Sequence, residues 1–560
     1  MRTAYAVAAT SVVLCFVGAG VAAGMIMFEW SPPVHGGLER FGASVSFAGD
    51  VNQDGQYDVI VGSPWADPFS SPDSAGRAYV YSGANGGILY TLSSPWEQSG
   101  AMFGHSVSFA GDVNLDGHLD VVVGAPYQDP ALPPWPLDDA GSAYVFDGAT
   151  GDTLKVLLSP NPAVYAYFGY AVAGVGDVNN DGYWDIAVGA PGEVVGSFCN
   201  AGQVQVFSGA DWRQLLCLES PNPEQNGYFG HSVAGVGDAN QDGHFDIVVG
   251  APYEDPGVCP DSAGRAYIFS GADGSVLHGL TSPKEESEGY FGWSVYGNID
   301  FDADGYHDVI VGAPREDLWL QGLTDVGRAY VFSGLSGDTL KTLISPNPED
   351  YGRFGYSVSW ADDVDGGGHS DVIVGAPGES PGPGLLGAGR AYIFNGEGGN
   401  LVYTAASPHA TPGGWFGCSV SGLADVDLDG VPEVLVGALA DTTCSVPLSY
   451  DGAAYAIRPW DFTIEGWLTE LQQLTLTWPY MPGAWQYLIY GEPNNSYFEP
   501  APENLQCEIS QGTYSWTTTL GVGDSDWNFT FIVIAVDEQQ EEIVRSNRYG
   551  EFDFGTGTPP

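Results

Sequence analysis

Three features of the sequence predict an all-β fold, a seven-bladed β-propeller followed by a small β-sandwich. A Phe-Gly pair recurs at Phe41, Phe103, Phe168, Phe229, Phe291, Phe354 and Phe416, at intervals of 61 to 65 residues. Such a period marks a repeat architecture, in which no unit can bury its faces alone. Each unit holds short apolar runs between turn residues, and the 80 Gly and 38 Pro of the 560-residue chain punctuate those runs rather than forming low-complexity tracts. The third feature is a polar loop, DVNQDGQYDVIVGSP at 50–64, with further versions opening at residues 112, 177, 238, 300, 363 and 425. At 44% hydrophobic and 13% aromatic residues, the chain has ample material for packed cores.

In chain order, MRTAYAVAATSVVLCFVGAGVAA combines a basic start, an apolar run and small residues at Val21 and Ala23. It predicts a secretory signal over 1–23, an exported protein, and loss of Cys15 with the signal. An isolated MIMFEWSPP (25–33) then resembles the fourth-strand ending LKTLISPNP (340–348). The first unit divides into strands at SVSFAGD (44–50), DVIVGS (58–63), GRAYVYSG (76–83) and GILYTLSS (87–94), whereas the seventh supplies only three, ending at AAYAIRP (453–459). The N-terminal segment is therefore expected to complete the last blade of a propeller spanning 24–459, leaving no open edge. From residue 460 the repeat stops. LTLTWPY (474–480), WQYLIYG (485–491) and FTFIVIAVD (529–537) alternate at strand period, predicting a β-sandwich over 460–555. After the signal, no apolar run approaches the ~20 residues needed to span a bilayer.

The 15 basic and 70 acidic residues give a formal charge of −55, which excludes nucleic acid and anionic membrane surfaces as partners and favours cations. Taking Asp50 as loop position 1, oxygen side chains stand at positions 1, 3 and 5 (Asp50, Asn52, Asp54), Gly55 permits a sharp turn, and Asp58 closes the cage at position 9. An all-oxygen set with several carboxylates suits a hard cation, Ca²⁺ before the geometrically stricter Mg²⁺. An EF-hand needs Glu at position 12 and flanking helices; here position 12 is Val61, Val123, Val188, Val249, Val311, Val374 and Val436, each inside an apolar strand. One such loop could be a solvated hairpin. Seven copies with one oxygen pattern point to metal. In the sixth, DVDGGGHSD, Gly367 replaces the carboxylate at position 5, so six sites and a weaker seventh are expected.

The FG, DxNxDGxxD and GAP elements together resemble FG-GAP repeats, the units of the integrin α-subunit propeller, over roughly residues 25–458. The resemblance implies Ca²⁺ between the first and second strands of each blade and a propeller that serves extracellular adhesion or ligand recognition. The ligand pattern then falls on Asp50, Asn52, Asp54 and Asp58; Asp112, Asn114, Asp116 and Asp120; Asp177, Asn179, Asp181 and Asp185; Asp238, Asn240, Asp242 and Asp246; Asp300, Asp302, Asp304 and Asp308; Asp363, Asp365 and Asp371; and Asp425, Asp427, Asp429 and Glu433. Only short segments join each GAP-like element to the next Gly, so no domain is inserted between blades, and the C-terminal region is too short for an integrin leg. That region resembles a fibronectin type III domain through Trp478, Tyr490 and the Phe531, Val533, Ala535 alternation.

Strand parity puts the polar loops on one face of the ring and the long second-to-third-strand loops, with the links between blades, on the other. Trp65, Trp135 and Trp319 in those loops and Trp96 and Trp415 in the links could stack sugars, anchor a peptide, or simply pack the loops down. The leading expectation is a secreted calcium-binding adhesion or interaction module that recognises an extracellular protein or glycan through this face. The alternatives are a polysaccharide-active propeller enzyme and an inert envelope component. No Ser-His-Asp pattern, metal-His cluster or phosphate loop is visible, and no catalytic residue is assigned. In an oxidising compartment, Cys199 is expected to pair with Cys259 and Cys418 with Cys444, leaving Cys217 and Cys507 free.

Overall fold

The computed structural model describes residues 25–459 apart from 34–38, 68–72, 131–136, 256–260, 319–320, 397, 427–429 and 442–450, together with the backbone of seven strands between 465 and 545. The expected signal segment lies outside the described residues. Seven four-stranded antiparallel sheets form a seven-bladed propeller. In blade 1 the strands are Ser44–Gly49, Asp58–Ser63, Arg77–Tyr81 and Ile88–Leu92, ordered in space as in sequence.

Burial explains the strand chemistry. Every second strand is buried along its whole length, as in Asp58–Ser63 and Asp120–Ala125, because blades cover both of its faces. It therefore reads as a continuous Val/Ile run rather than an alternation. The fourth strand, at the rim, is mostly half-exposed. Between blades, each Phe of the Phe-Gly pair is fully buried; Phe103, for instance, packs 5.4 Å from Tyr144 and 5.9 Å from Phe146, centroid to centroid. The glycine of the Gly-Ala-Pro element is required for close approach: a Cβ on Gly62 would stand 2.1 Å from the carbonyl oxygen of Gly104 in the next blade.

Blade 7 combines both ends of the propeller. Met25–Trp30 pairs antiparallel with Ala453–Arg458, outside Glu433–Ala438 and Phe416–Leu423. Trp30 fixes this strand to blade 1, its indole N–H donating to Gly86 O at 3.0 Å and its ring lying 5.5 Å from Tyr81.

A polar clasp also joins neighbouring blades beside the long loops. A serine ending one blade's fourth strand meets a buried acid in the next blade's loop, which in turn meets a buried tyrosine of that blade's third strand. Ser282, Glu316 and Tyr330 form one clasp, Ser345, Glu379 and Tyr392 another, and Ser407, Asp441 and Tyr455 a third. Glu254 accepts from the Tyr267 hydroxyl at 2.6 Å. In blade 2 the acid is replaced by Gln128, whose Oε1 accepts from Ser94 at 3.3 Å.

Two expectations about cysteines fail. Cys199 and Cys418 are free thiols, as is Cys217, so neither the 199–259 nor the 418–444 bond is present. Cys418 is buried on the first strand of blade 7, its Sγ directed at Gly42 O in blade 1, 3.5 Å away. Spacing along the chain had brought its neighbourhood near residue 444 but carries no information on where the thiol points. Cys259 and Cys444 lie outside the described residues.

Beyond the ring, Glu465–Leu468, Gln473–Thr477 and Ser515–Thr519 form a three-stranded sheet. Leu505–Ser510, Gln486–Pro493, Phe529–Val536 and Glu542–Arg545, in that order, form a four-stranded one. Among the described residues no helix is long and apolar enough to cross a membrane.

Candidate metal centre

Each polar loop connects the first and second strands of a blade, all on one face of the ring. In loop 1 the Asp50 carboxylate accepts from Asp54 N (3.0 Å) and Gly55 N (2.9 Å), Asn52 Oδ1 from Asp54 N (2.8 Å), and Asp54 Oδ1 from Gln56 N (3.0 Å). The position-1 carboxylate takes the N–H of the position-6 glycine in the other loops too, at 3.0 Å for Asp112, 2.7 Å for Asp177, 2.9 Å for Asp238, 3.2 Å for Asp300, 2.9 Å for Asp363 and 2.7 Å for Asp425. Position 6 has φ near +90° at Gly55, Gly117, Gly182 and Gly243, which explains glycine there even though a Cβ on Gly55 would meet nothing.

Position 9 lies beneath the loop. Asp58 is fully buried, accepting from Val51 N (3.0 Å) and, across the blade, from Gly83 N (3.1 Å). Asp120, Asp185, Asp246 and Asp308 repeat both bonds. Asp371 adds Asp365 N, and Glu433 accepts from Val426 N at 2.8 Å. Burial pushes these carboxyls up, to about 7 at Asp58, Asp120, Asp185 and Asp308, about 6 at Asp246, and about 8 at Asp371, where the charge of Asp365 adds to it.

In loop 5 the side chains of positions 1, 3 and 5 converge. Carboxylate oxygens of Asp300, Asp302 and Asp304 lie within 4.8 Å of one another, as do those of Asp363, Asp365 and Asp371 in loop 6, where position 9 joins the group. Asp300 Oδ1 and Asp363 Oδ1 are buried without a hydrogen-bond partner. Buried lone pairs left over inside a cluster of acids are what a hard cation fits. In loops 2, 3 and 4 the position-3 amide donates to the position-5 carboxylate (Asn114 to Asp116 at 3.0 Å, Asn179 to Asp181 at 3.0 Å, Asn240 to Asp242 at 2.9 Å), so the same groups meet there. Asp427 and Asp429 of loop 7 lie outside the described residues.

Two features of these sites escaped the loop pattern. The residue ending the third strand faces the loop: Ser82 lies 3.5 Å from Asp54, Ser270 3.4 Å from Asp242, and Asp147 adds a carboxylate 3.4 Å from the Asn114 amide. Its signal was the recurrent YSG, FDG, FSG, FNG ending. Neighbouring loops also touch. Gln53 at position 4 donates to Gly117 O (2.8 Å), and His118 Nδ1 lies 2.7 Å from Val51 O. Loops 3 and 4 repeat this through Asn180 to Gly243 O (2.8 Å) and His244 to Val178 O (2.6 Å). Leu115, at position 4 of loop 2, has no polar group to offer loop 3.

On the opposite face, Trp96 is 58% exposed, while Trp65 and Trp415 lie beneath the guanidiniums of Arg40 and Arg353, 3.6 and 5.2 Å from their centroids. Trp135 and Trp319 lie outside the described residues.

Comparison with known proteins matches this repeated blade. The FG-GAP repeat fits residues 41–81, 103–146, 168–207, 229–269, 291–332 and 354–394. Six of the blades match the FG-GAP repeat. The chain is 32% identical to integrin alpha-5 of Xenopus laevis over 266 residues, 44% of this chain and 24% of that protein. It is 39% identical to integrin alpha-IIb of Mus musculus over 162 residues (28% and 15%) and 38% identical to integrin alpha-6 of Homo sapiens over 157 residues (27% and 13%). The chain thus spans a quarter or less of these relatives. The FG-GAP ring is integrin alpha-like, with its acidic loops on one face and its long loops on the other.

Proposed function

We propose that this is an exported adhesion or recognition module whose FG-GAP ring is braced by Ca²⁺ and whose long-loop face binds an extracellular protein or glycan. The carrying observation is the convergence of acidic oxygens in the first-to-second-strand loops, with Asp300 Oδ1 and Asp363 Oδ1 buried and unpartnered. In this reading the side chains at positions 1, 3 and 5, from Asp50, Asn52 and Asp54 round to Asp425, Asp427 and Asp429, hold the ion. Asp58 and its counterparts down to Glu433 fix the loop to the blade, and in loop 6 Asp371 stands in for the missing position-5 acid. The bound ion supplies positive charge that keeps crowded carboxylates ionised. The role is structural, and the reading contains no catalytic step.

The domain limits follow the same reading: a signal over 1–23, the propeller over 24–459, and a fibronectin type III-like sandwich over 460–555, for which the three- and four-stranded sheets are the support. The similarity to integrin alpha chains supports adhesion over an enzyme. A glycan and matrix-protein binding screen with and without calcium tests the function. Capture of a ligand in calcium, lost in chelator, is expected; retention of no ligand under either condition counts against recognition.

A further inference from the structure

The axis of the ring holds a cavity of about 220 Å³. First strands build its wall in layers. Val45, Val107, Val172, Val233 and Val295 form one layer, and the next residue of each strand gives Ser46, Ser108, Ala173, Ala234 and Tyr296. One residue further on, blades 1 and 2 carry Phe47 and Phe109, whereas blades 3 and 4 carry Gly174 and Gly235. The axis is therefore filled towards blades 1 and 2 and open towards blades 3 and 4. Trp184 and Phe245, at position 8 of loops 3 and 4, line the same cavity and are each 37% exposed, so they mark its entrance on the loop face. Phe47 stacks on Phe109 at 4.9 Å between centroids, and Phe109 meets Trp184 edge to face at 5.1 Å, which makes one side of the cavity a continuous aromatic wall.

The wall supplied by blades 5 and 6 is different. Ser46, Ser108 and Ser421 each donate to the carbonyl of the following residue, at 2.8, 3.1 and 2.9 Å. Ser359 holds the same strand position in blade 6, lines the cavity and is 2% exposed, yet its Oγ has no hydrogen-bond partner. In blade 5 the position is Tyr296, whose hydroxyl makes no hydrogen bond among the described residues; burial raises its pKa with nothing to oppose the shift. Buried hydroxyls are ordinarily paired. Two unpaired ones on adjacent blades, facing an aromatic wall, give the cavity an apolar side and a hydrogen-bonding side.

We propose that the axial cavity binds a small neutral aromatic molecule carrying a hydroxyl or ring N–H, with its ring against Phe109 and Trp184 and its polar edge at Tyr296 and Ser359. The volume suits one or two rings, since an apolar cavity of about 150 Å³ holds benzene. No charged side chain lines the cavity among the described residues, so an ionised ligand would lose its hydration without gaining a counter-charge. Aromatic walls favour a planar ring through stacked and edge-to-face contacts. Water is a poorer occupant, because each molecule needs two to four polar partners and the hydroxyls of Ser46, Ser108 and Ser421 already donate to backbone carbonyls. The site lies on the axis, so it stands or fails apart from the recognition role proposed for the long-loop face.

The test uses the full chain in calcium, because the entrance residues belong to loops 3 and 4. Calorimetry at pH 7 compares p-bromophenol with bromobenzene, which lacks the polar edge, and with p-bromobenzoate, which is charged. Crystals soaked in p-bromophenol locate the bromine by anomalous scattering. Bromine in the axial cavity is expected, with p-bromophenol binding about tenfold tighter than bromobenzene, as one buried hydrogen bond dictates, and no binding of p-bromobenzoate. The double variant Y296F/S359A is expected to keep bromobenzene binding and lose the preference for the phenol. It breaks no hydrogen bond within the protein, so its melting curve should match or exceed the parent's. Ala234→Leu, which fills the cavity, is expected to abolish binding of both ligands; if that variant does not fold, the double variant decides. Bromine elsewhere or nowhere overturns the proposal, as does binding at crystal concentration only. Equal affinity for p-bromophenol and bromobenzene, or a preference that survives in the double variant, removes the hydrogen-bonding role of Tyr296 and Ser359 and overturns it too. Binding of p-bromobenzoate as tight as that of the phenol overturns the neutral class.

Discussion

The two faces of the ring each use carboxylates, with opposite electrostatics. On the loop face, Asp50, Asp54 and their counterparts accept from backbone N–H groups and crowd one another. On the long-loop face, Glu254 and Glu379 are 1% and 0% exposed and are met by tyrosine and serine hydroxyls. Crowding at an accessible site is relieved by a cation; burial beside neutral hydroxyls is relieved by a proton. On the reading proposed above, the ring has a calcium-dependent brace on one side and, in the serine–acid–tyrosine clasps that span the joints between blades, a pH-dependent brace on the other.

The largest perturbation removes the support of both faces together. Deleting residues 25–33 leaves blade 7 with three strands and an open edge beside Ala453–Arg458. Aggregation or loss of cooperative unfolding is expected, read by calorimetry and light scattering. A truncated protein that melts like the parent would show that the N-terminal strand is dispensable.

Calcium removal addresses the loop face alone. Extracellular sites bind at roughly 10⁻⁴ to 10⁻³ M, so each loop filled in about 10 mM calcium adds about 1–3 kcal/mol by mass action. Chelation is expected to lower the melting temperature, with Mg²⁺ a poor replacement. Loop 6 is expected to empty first, because Gly367 supplies no oxygen at position 5 and three consecutive glycines raise the cost of ordering it. Calcium-dependent melting and site-resolved occupancy in crystals check both points; a melting curve indifferent to chelator counts against filled loops.

The long-loop face is isolated by Glu254→Gln in saturating calcium. Burial raises the Glu254 carboxyl from 4.5 to about 7. The folded state keeps this proton longer than the unfolded chain, so the stabilisation is complete below pH about 4.5 and is lost as pH rises through about 7. Glutamine keeps the hydrogen-bonding shape, as Gln128 does in blade 2, and does not titrate. The variant is expected to gain roughly 1–3 kcal/mol on the parent between pH 5 and pH 8. Parallel stability profiles for the two proteins would refute the proton's role.

The difference between the faces was only half legible in the sequence. Strand limits were readable because turn glycines and prolines bound each run: DVIVGS was expected at 58–63, where the strand lies. The acids of the loops were readable because they sit within nine residues of one another. Residues whose partners lie on another strand or in another blade were not. Nothing in the local pattern shows that Asp58 reaches Gly83, that Glu254 meets Tyr267, or that Cys418 faces Gly42. The first two depend on how strands and loops pack within one blade and the third on how blades meet, and the repeat period leaves both open.

The smallest expected effect tests whether the loop face is a set of independent sites or a chain of them. Gln53 donates to Gly117 O and His118 returns a contact to Val51 O, so ordering loop 1 orders loop 2. Loop 2 has no such amide towards loop 3, because its position 4 is Leu115. Gln53 and Leu115 have nearly the same backbone, with φ of 58° and 57°, so Gln53→Leu removes the link without straining the turn. The link is exposed, and its loss is expected to cost about 0.5–1 kcal/mol. That cost should appear as weaker calcium binding in loops 1 and 2 alone, with the apparent cooperativity between them reduced. Leu115→Gln offers the opposite change, adding an amide able to reach towards loop 3 and tightening loops 2 and 3 together. Site-resolved calcium titrations of both variants decide the matter. If each loop fills at the parent's concentration in both, the contacts between loops are packing alone, and each blade carries its ion independently.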